Sequence, residues 1–418
     1  MSPARTAAAL TGQLLTLVLL TLVLLTAGAC GGRSGTAPPG LVFGTLGSHA
    51  SAAAAENAAG VRGATLELDW GAYEPSPGAF SASYVSMIKQ RMRTFRAAGQ
   101  QLTLALGLHH HPAWVRDLPD AVAVDQHGNR LAGIDMVFSQ PVRDAAAGYF
   151  RRIDADLGIR DFAHIRLTSG GNAEMLYNTA GSYAAFSTAA QNGPTMAAGL
   201  PPNPVPGWRP GDRDVTTARV GAWADWYVNA LADVTRWQIA RFEAMRFTGT
   251  YQAITPGSGV RPDAYAEAVA QFLPDGLLGI GGAWHRYYAS LAGTPRLMSY
   301  VSSLADGSGG DDGCRPADRD VPVTDHRADG WSAARWQSRL ADEYGFAKGG
   351  ENPGYGDGVA KGAHYADPSD RGMLAVALRQ AVDCRFDVFN LAHDEQLWRG
   401  PLSLDTYAEH IRAAAGTR

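Results

Sequence analysis

The chain has 418 residues, 46% of them hydrophobic, with a formal net charge of -4 and 18% charged side chains. That is enough apolar material for a large core, and without a dense basic run it excludes a nucleic-acid-binding surface. Three cysteines in a chain of this length exclude a disulfide-dense scaffold, and compact Cys/His ligand spacing is absent.

Met1 to Cys30 reads as an export segment. Arg5 gives it a positive start, Leu14 to Leu25 is an apolar run too short for a comfortable membrane span, and Thr26-Ala-Gly-Ala-Cys30 looks like a lipoprotein cleavage box with Cys30 as the lipidated residue. Ala27 stands where leucine is usual, so a plain signal peptide cut nearby is the alternative. Residues 31–40, rich in Gly and Pro, read as a flexible tether, and residues 41–418 as one catalytic domain. The only other cysteines, Cys314 and Cys384, are expected to pair in an exported protein.

Strand-like runs then alternate with helical ones. Leu41 to Leu46 reads as a strand, Ser51 to Ala59 as an Ala-rich helix, and Gly63 to Trp70 as a second strand by its alternation. A helix is predicted over Tyr84 to Ala98 with Ser83 as N-cap, then a strand from Leu102 to Leu108 that runs into His109-His-His-Pro-Ala-Trp114. Val142 to Leu157 reads as helix. Ile165 and Leu167 then begin a short strand that ends in Ser169-Gly-Gly-Asn-Ala-Glu174. Asn178 to Asp214, rich in Gly, Pro, Ser and Asn, is too long for a connector and is expected to cross the mouth of the fold, with Trp208 either a wall of a binding subsite or a ring that packs the loop onto the barrel. Helix (218–245), strand (247–253), helix (263–272) and strand (296–302) follow, then a second polar excursion to about Gly330. Helix (332–343), a short strand from Phe346 into Gly349-Gly-Glu351, helix (371–382), strand (386–391) and helix (406–415) complete the chain.

Eight strands alternating with helices predict a single (β/α)8 barrel, with long insertions after the fourth and sixth strands. The runner-up, an open doubly wound sheet, lacks a Gly-x-Gly-x-x-Gly after the first strand. In such a barrel, chemistry sits at the carboxyl ends of the strands. Those ends offer Trp70 and Glu74, His109 to Trp114, Asn172 and Glu174, Tyr251, Tyr300, Glu351, and His393 to Trp398. Acids, amides and aromatics suit an uncharged polyhydroxylated ligand better than a phosphate. Two glutamates at two strand ends are the apparatus for breaking a glycosidic bond. Glu74, inside a Pro-bounded turn, reads as structural, and Glu395 is the alternative to Glu351. The three consecutive histidines read as sugar contacts. No acidic partner spacing accompanies them, so no metal and no cofactor is expected.

The segment Leu66-Glu-Leu-Asp-Trp-Gly-Ala-Tyr-Glu-Pro-Ser-Pro-Gly-Ala-Phe80 resembles the second-strand signature of clan A glycoside hydrolases, and His110-His-Pro-Ala-Trp114 is similar to their third-strand loop. Family 42 β-galactosidases are similar in feel. The resemblance implies Glu174 as general acid/base, Glu351 as nucleophile, Asn172 as a sugar ligand and Trp398 as the floor of a subsite. Trp70, His109, His110, Trp114 and Tyr300 are expected to line the same site. Ala173 separates Asn172 from Glu174, where the clan has the pair adjacent. Asn172-Ala-Glu-Met-Leu-Tyr177 and Gly350-Glu-Asn352 also resemble the catalytic loops of the inverting family 14 β-amylases, so the stereochemical course stays open. The expected function is hydrolysis of an oligo- or polysaccharide outside the cytoplasm, with Cys30 as the only membrane contact. The alternatives are a lipid-anchored carbohydrate-binding protein with a non-hydrolytic barrel and, less favoured, a two-lobed solute-binding lipoprotein.

Overall fold

A computed structural model describes residues 40–352 and 362–416. The export segment, Cys30 and the tether up to residue 39 lie outside the described residues. Eight parallel strands close into a barrel in chain order: β1 (Val42–Thr45), β2 (Gly63–Glu67), β3 (Gln101–Ala105), β4 (His164–Leu167), β5 (Thr250–Thr255), β6 (Leu297–Val301), β7 (Ala347–Asn352) and β8 (Val388–Leu391). β8 returns to β1 with Val42 opposite Val388 and Thr45 opposite Leu391. The expected barrel is therefore the observed one.

Helices pack around it, and their boundaries follow local chemistry. The helix Ala82–Ala97 is capped by Ser81, whose hydroxyl accepts from the Tyr84 amide, rather than by Ser83. Ser139 caps Gln140–Leu157, which carries a proline in its first turn and ends at Gly158 with φ 71°. Of the α-helices that were not legible in the sequence, Trp70–Tyr73, Gly362–Ala366, Gln396–Arg399 and Trp284–Ser290, the last is the longest. Its aromatic residues are indifferent helix formers, and it is held by burial of Trp284, His285, Tyr287 and Tyr288 between its neighbours. Among the described residues no helix is long and apolar enough to cross a membrane.

The insertions after β3 and β4 are laced together. The Phe186 amide donates to Val124 O at 2.9 Å, Ala197 N to Phe138 O at 2.8 Å, and Tyr183 N to the Gln126 side chain at 2.7 Å. The insertion after β3, which the sequence pattern did not flag, thus supports the one that it did. Trp208 is only 4% exposed. Its ring meets Trp223 edge-on at 5.6 Å, and its indole nitrogen donates to Asp212 O at 3.1 Å. Of the two readings of Trp208, packing is the one observed: the ring is not a subsite wall but a peg that fixes the insertion onto the helix Thr217–Ala244. Trp208→Ala is expected to cost about 3–5 kcal/mol of stability, the range for emptying a buried tryptophan site, and to leave KM unchanged; thermal melts beside Michaelis curves check both.

The insertion after β6 is tied down by the Cys314–Cys384 disulfide, with Cα atoms 4.7 Å apart across a separation of 70 residues. Arg335 reinforces it by pairing with Asp312 and Asp318.

Candidate active site

Glu351 is the fifth residue of β7, inside the strand rather than in a turn beyond it. Its two preceding glycines are not hinges. A Cβ on Gly349 would fall 2.6 Å from the Met298 sulfur and 2.8 Å from the Tyr300 ring, so glycine is what lets β6 and its tyrosine lie against the strand. Glu351 is 8% exposed and receives both terminal guanidinium nitrogens of Arg166 on one oxygen, Oε2, at 3.1 and 3.0 Å. Arg166 comes from the middle of β4. It lies 4.8 Å from the centre of the Tyr300 ring and reaches the Tyr300 hydroxyl, which also accepts from Asn390 Nδ2 at 2.8 Å. Strands β4, β6, β7 and β8 thus hold one carboxylate in a fixed aim, with its Oε1 free of Arg166.

Burial pushes the Glu351 carboxyl above the usual carboxylate range, and Arg166 pulls against it. Burial alone would lower the Arg166 guanidinium, yet Glu351 holds it above its ordinary value, so the arginine keeps its charge.

Glu174 stands across the mouth, on the loop after β4. Gly170, at φ 91°, makes the turn that a side chain would resist, since a Cβ there would fall 2.9 Å from Met136. Asn172 Oδ1 accepts from the Glu174 amide at 3.1 Å, the Met175 amide is anchored to Ile254 O at 2.6 Å on β5, and Ser302 donates to Glu174 Oε1. Burial raises the Glu174 carboxyl, and the negative charge of Glu351 adds to that rise against the Ser302 hydrogen bond and Arg166. The two carboxyls therefore lie close enough to feel each other's charge.

The remaining expected residues divide. His109 and His110 sit at this mouth, in the turn Leu108–His110, and both face Glu67 at the end of β2. Trp114 is half-buried and spends its indole hydrogen on Glu74 O at 3.1 Å. Trp70 is fully buried, stacked 4.9 Å from Tyr149 and bonded to the Glu74 carboxylate at 2.9 Å, so it is a core residue and not a sugar contact. Tyr300 is likewise fully buried; it positions Glu351 from beneath rather than meeting a ligand. Tyr251 is buried near the amino end of β5, with its hydroxyl 3.3 Å from Glu243. Asn172 uses its oxygen to shape the Glu174 loop. Trp398 is 43% exposed and lines a groove of about 470 Å³ with His49, Ala52, Ala55, Glu395 and Arg399. Glu395 belongs to that groove and pairs with His393 at 3.8 Å, whereas Glu351 takes the buried arginine.

Sequence reasoning missed Arg166, Ser302, Asn390 and Glu67. Arg166 carried a signal: a cation between Ile165 and Leu167 in an apolar strand has to meet an anion.

No known family model matches the sequence, and no curated protein matches it. Among solved structures, the chain is similar to the catalytic domain of a β-amylase from Paenibacillus polymyxa, with TM-score 0.59, 15% identity, and 90% of this chain and 99% of that one covered. It is also similar to a β-galactosidase from the psychrophilic Marinomonas ef1, with TM-score 0.56, 11% identity, and coverage of 90% and 59%. The fold is a (β/α)8 barrel. Both neighbours are glycoside hydrolases, the group whose motifs the sequence resembles. At these identities the likeness is one of fold, and the chain spans about three fifths of the β-galactosidase.

Proposed function

We propose that the protein is a glycoside hydrolase that cleaves O-glycosidic bonds with Glu174 as general acid/base and Glu351 as nucleophile. The observation that carries this is the pair itself: two electrostatically coupled carboxyls at the ends of β4 and β7, one clamped by a buried arginine and the other not. Their environments push their roles apart. Glu351, beside Arg166, is the one that stays ionised and attacks the anomeric carbon. Glu174, raised by burial and by that neighbouring charge, holds a proton for the leaving oxygen and then takes one from water. His393 adds positive potential toward Glu351.

Retention of configuration is part of the proposal. The export segment read at Met1 to Cys30 supports a substrate outside the cytoplasm, an oligo- or polysaccharide, with either a lipid on Cys30 as anchor or, after a plain signal-peptide cut nearby, a secreted protein. The test is a panel of aryl glycosides and oligosaccharides, with the first anomer released followed by proton NMR. Turnover with retained configuration supports the assignment. Inversion would make Glu351 the base that activates water, and affinity without turnover would point to a carbohydrate-binding protein.

A further inference from the structure

Beyond the sugar contacts expected of the two histidines, three side chains at the β2–β3 corner of the mouth converge on one point. Glu67 ends β2, and β3 pairs with it in register, Glu67 opposite Ala105. Gly107 then turns at φ 60°, where a Cβ would fall 1.7 Å from Leu68 O, and this turn carries two adjacent histidines over the glutamate. His109 Nε2 and His110 Nε2 lie 3.4 and 3.9 Å from the same oxygen, Glu67 Oε1. The three ligand atoms fall within 4.8 Å of one another, the one such grouping among the described residues.

We propose that Glu67, His109 and His110 bind a divalent transition-metal ion of the zinc class. Metal–ligand bonds of about 2.0–2.2 Å in tetrahedral geometry require ligand atoms roughly 3.3–3.6 Å apart. The observed spacings reach that with small rotations of Glu67 and His110, whose side chains are 49% and 48% exposed and free to move. Two imidazoles and one carboxylate favour zinc, nickel or copper over magnesium or calcium and leave a coordination position open to solvent. A simple ion-pair cluster fits less well. The imidazole rings lie 3.9 Å apart, too close for two like-charged rings to share one carboxylate comfortably. A metal uses both rings neutral. His109 Nδ1 is buried without a hydrogen-bond partner, so the outer support that tightens many such sites is missing and the affinity is expected to be on the order of micromolar.

The site stands whether or not the chain hydrolyses glycosides, and its test reads metal directly. Zinc chloride titrated calorimetrically into chelator-treated protein is expected to show one site, and cobalt(II) to give visible absorption of tetrahedral intensity. Glu67→Gln and His110→Ala should each weaken zinc binding by about tenfold or more, with melting curves unchanged because both positions are exposed. Zinc binding equally tight in the Glu67→Gln, His110→Ala double variant, no zinc binding at all, or preference for calcium would overturn the proposal.

Discussion

Glu351→Gln is expected to lower kcat by about three to five orders of magnitude, on the order of 4–7 kcal/mol in the barrier. The amide keeps the volume and one acceptor for Arg166 but cannot attack the anomeric carbon. Glu174→Gln should behave differently, and the difference is diagnostic. A missing acid matters most when the leaving group is poor, so turnover of an alkyl or sugar glycoside should collapse while that of a nitrophenyl glycoside falls much less. The pH profile gives the sign. Under the proposed roles the rising limb of activity follows ionisation of Glu351, and the falling limb follows loss of the proton on Glu174, whose proton affinity burial and Glu351 raise. Glu174→Gln should therefore erase the falling limb only. Either variant keeping near wild-type activity on a confirmed poor-leaving-group substrate would falsify its assignment.

Arg166→Met is expected to destabilise the fold by about 3–5 kcal/mol, the cost of leaving one member of a buried ion pair without the other, and to cut turnover with it. Arg166 is the principal influence drawing the Glu351 proton affinity down, so in the variant that carboxyl rises further. The rising limb of activity should then move to higher pH. Stability carries a matching signature. A carboxyl whose folded pKa lies above its unfolded value favours the fold below the unfolded value, near 4.5, and loses that contribution as pH climbs through the folded one. The variant should therefore be nearest to wild type in acid and fall behind it toward pH 8, as denaturant melts at both ends would record. Equal destabilisation at all pH values would mean that Arg166 only fills space.

The barrel was legible because its strands are short apolar runs at regular spacing, and each expected run fell on an observed strand. Glu174 and Glu351 stood out in the sequence because acids that follow such runs are conspicuous, and the fold brings the two within electrostatic reach of each other. What failed was depth. Trp70, Trp208 and Tyr300 sit at strand ends or in a mouth insertion by sequence count, yet all three rings point into packing. An aromatic looks the same in sequence whether it floors a subsite or pegs a loop. The partners across the barrel were invisible for another reason. Arg166 and Glu351 are 185 residues apart, and Ser302 and Glu174 are 128 apart. Only closure of the sheet brings them together.

The two carboxylates are mounted on unlike supports. Glu351 belongs to a strand laddered on both sides, opposite Asn390 in β8 and next to Gly350, which pairs with Val301 in β6. Glu174 rides a loop held by Asn172, Ser302 and one anchor to β5. Under the proposed mechanism the gap between two such groups decides whether a sugar leaves with its configuration kept or reversed; with one side of that gap locked into the sheet, the stereochemistry would be adjustable from one side only. Substitutions in 169–175 can re-aim the acid; none in β7 can move its partner without opening the ladder.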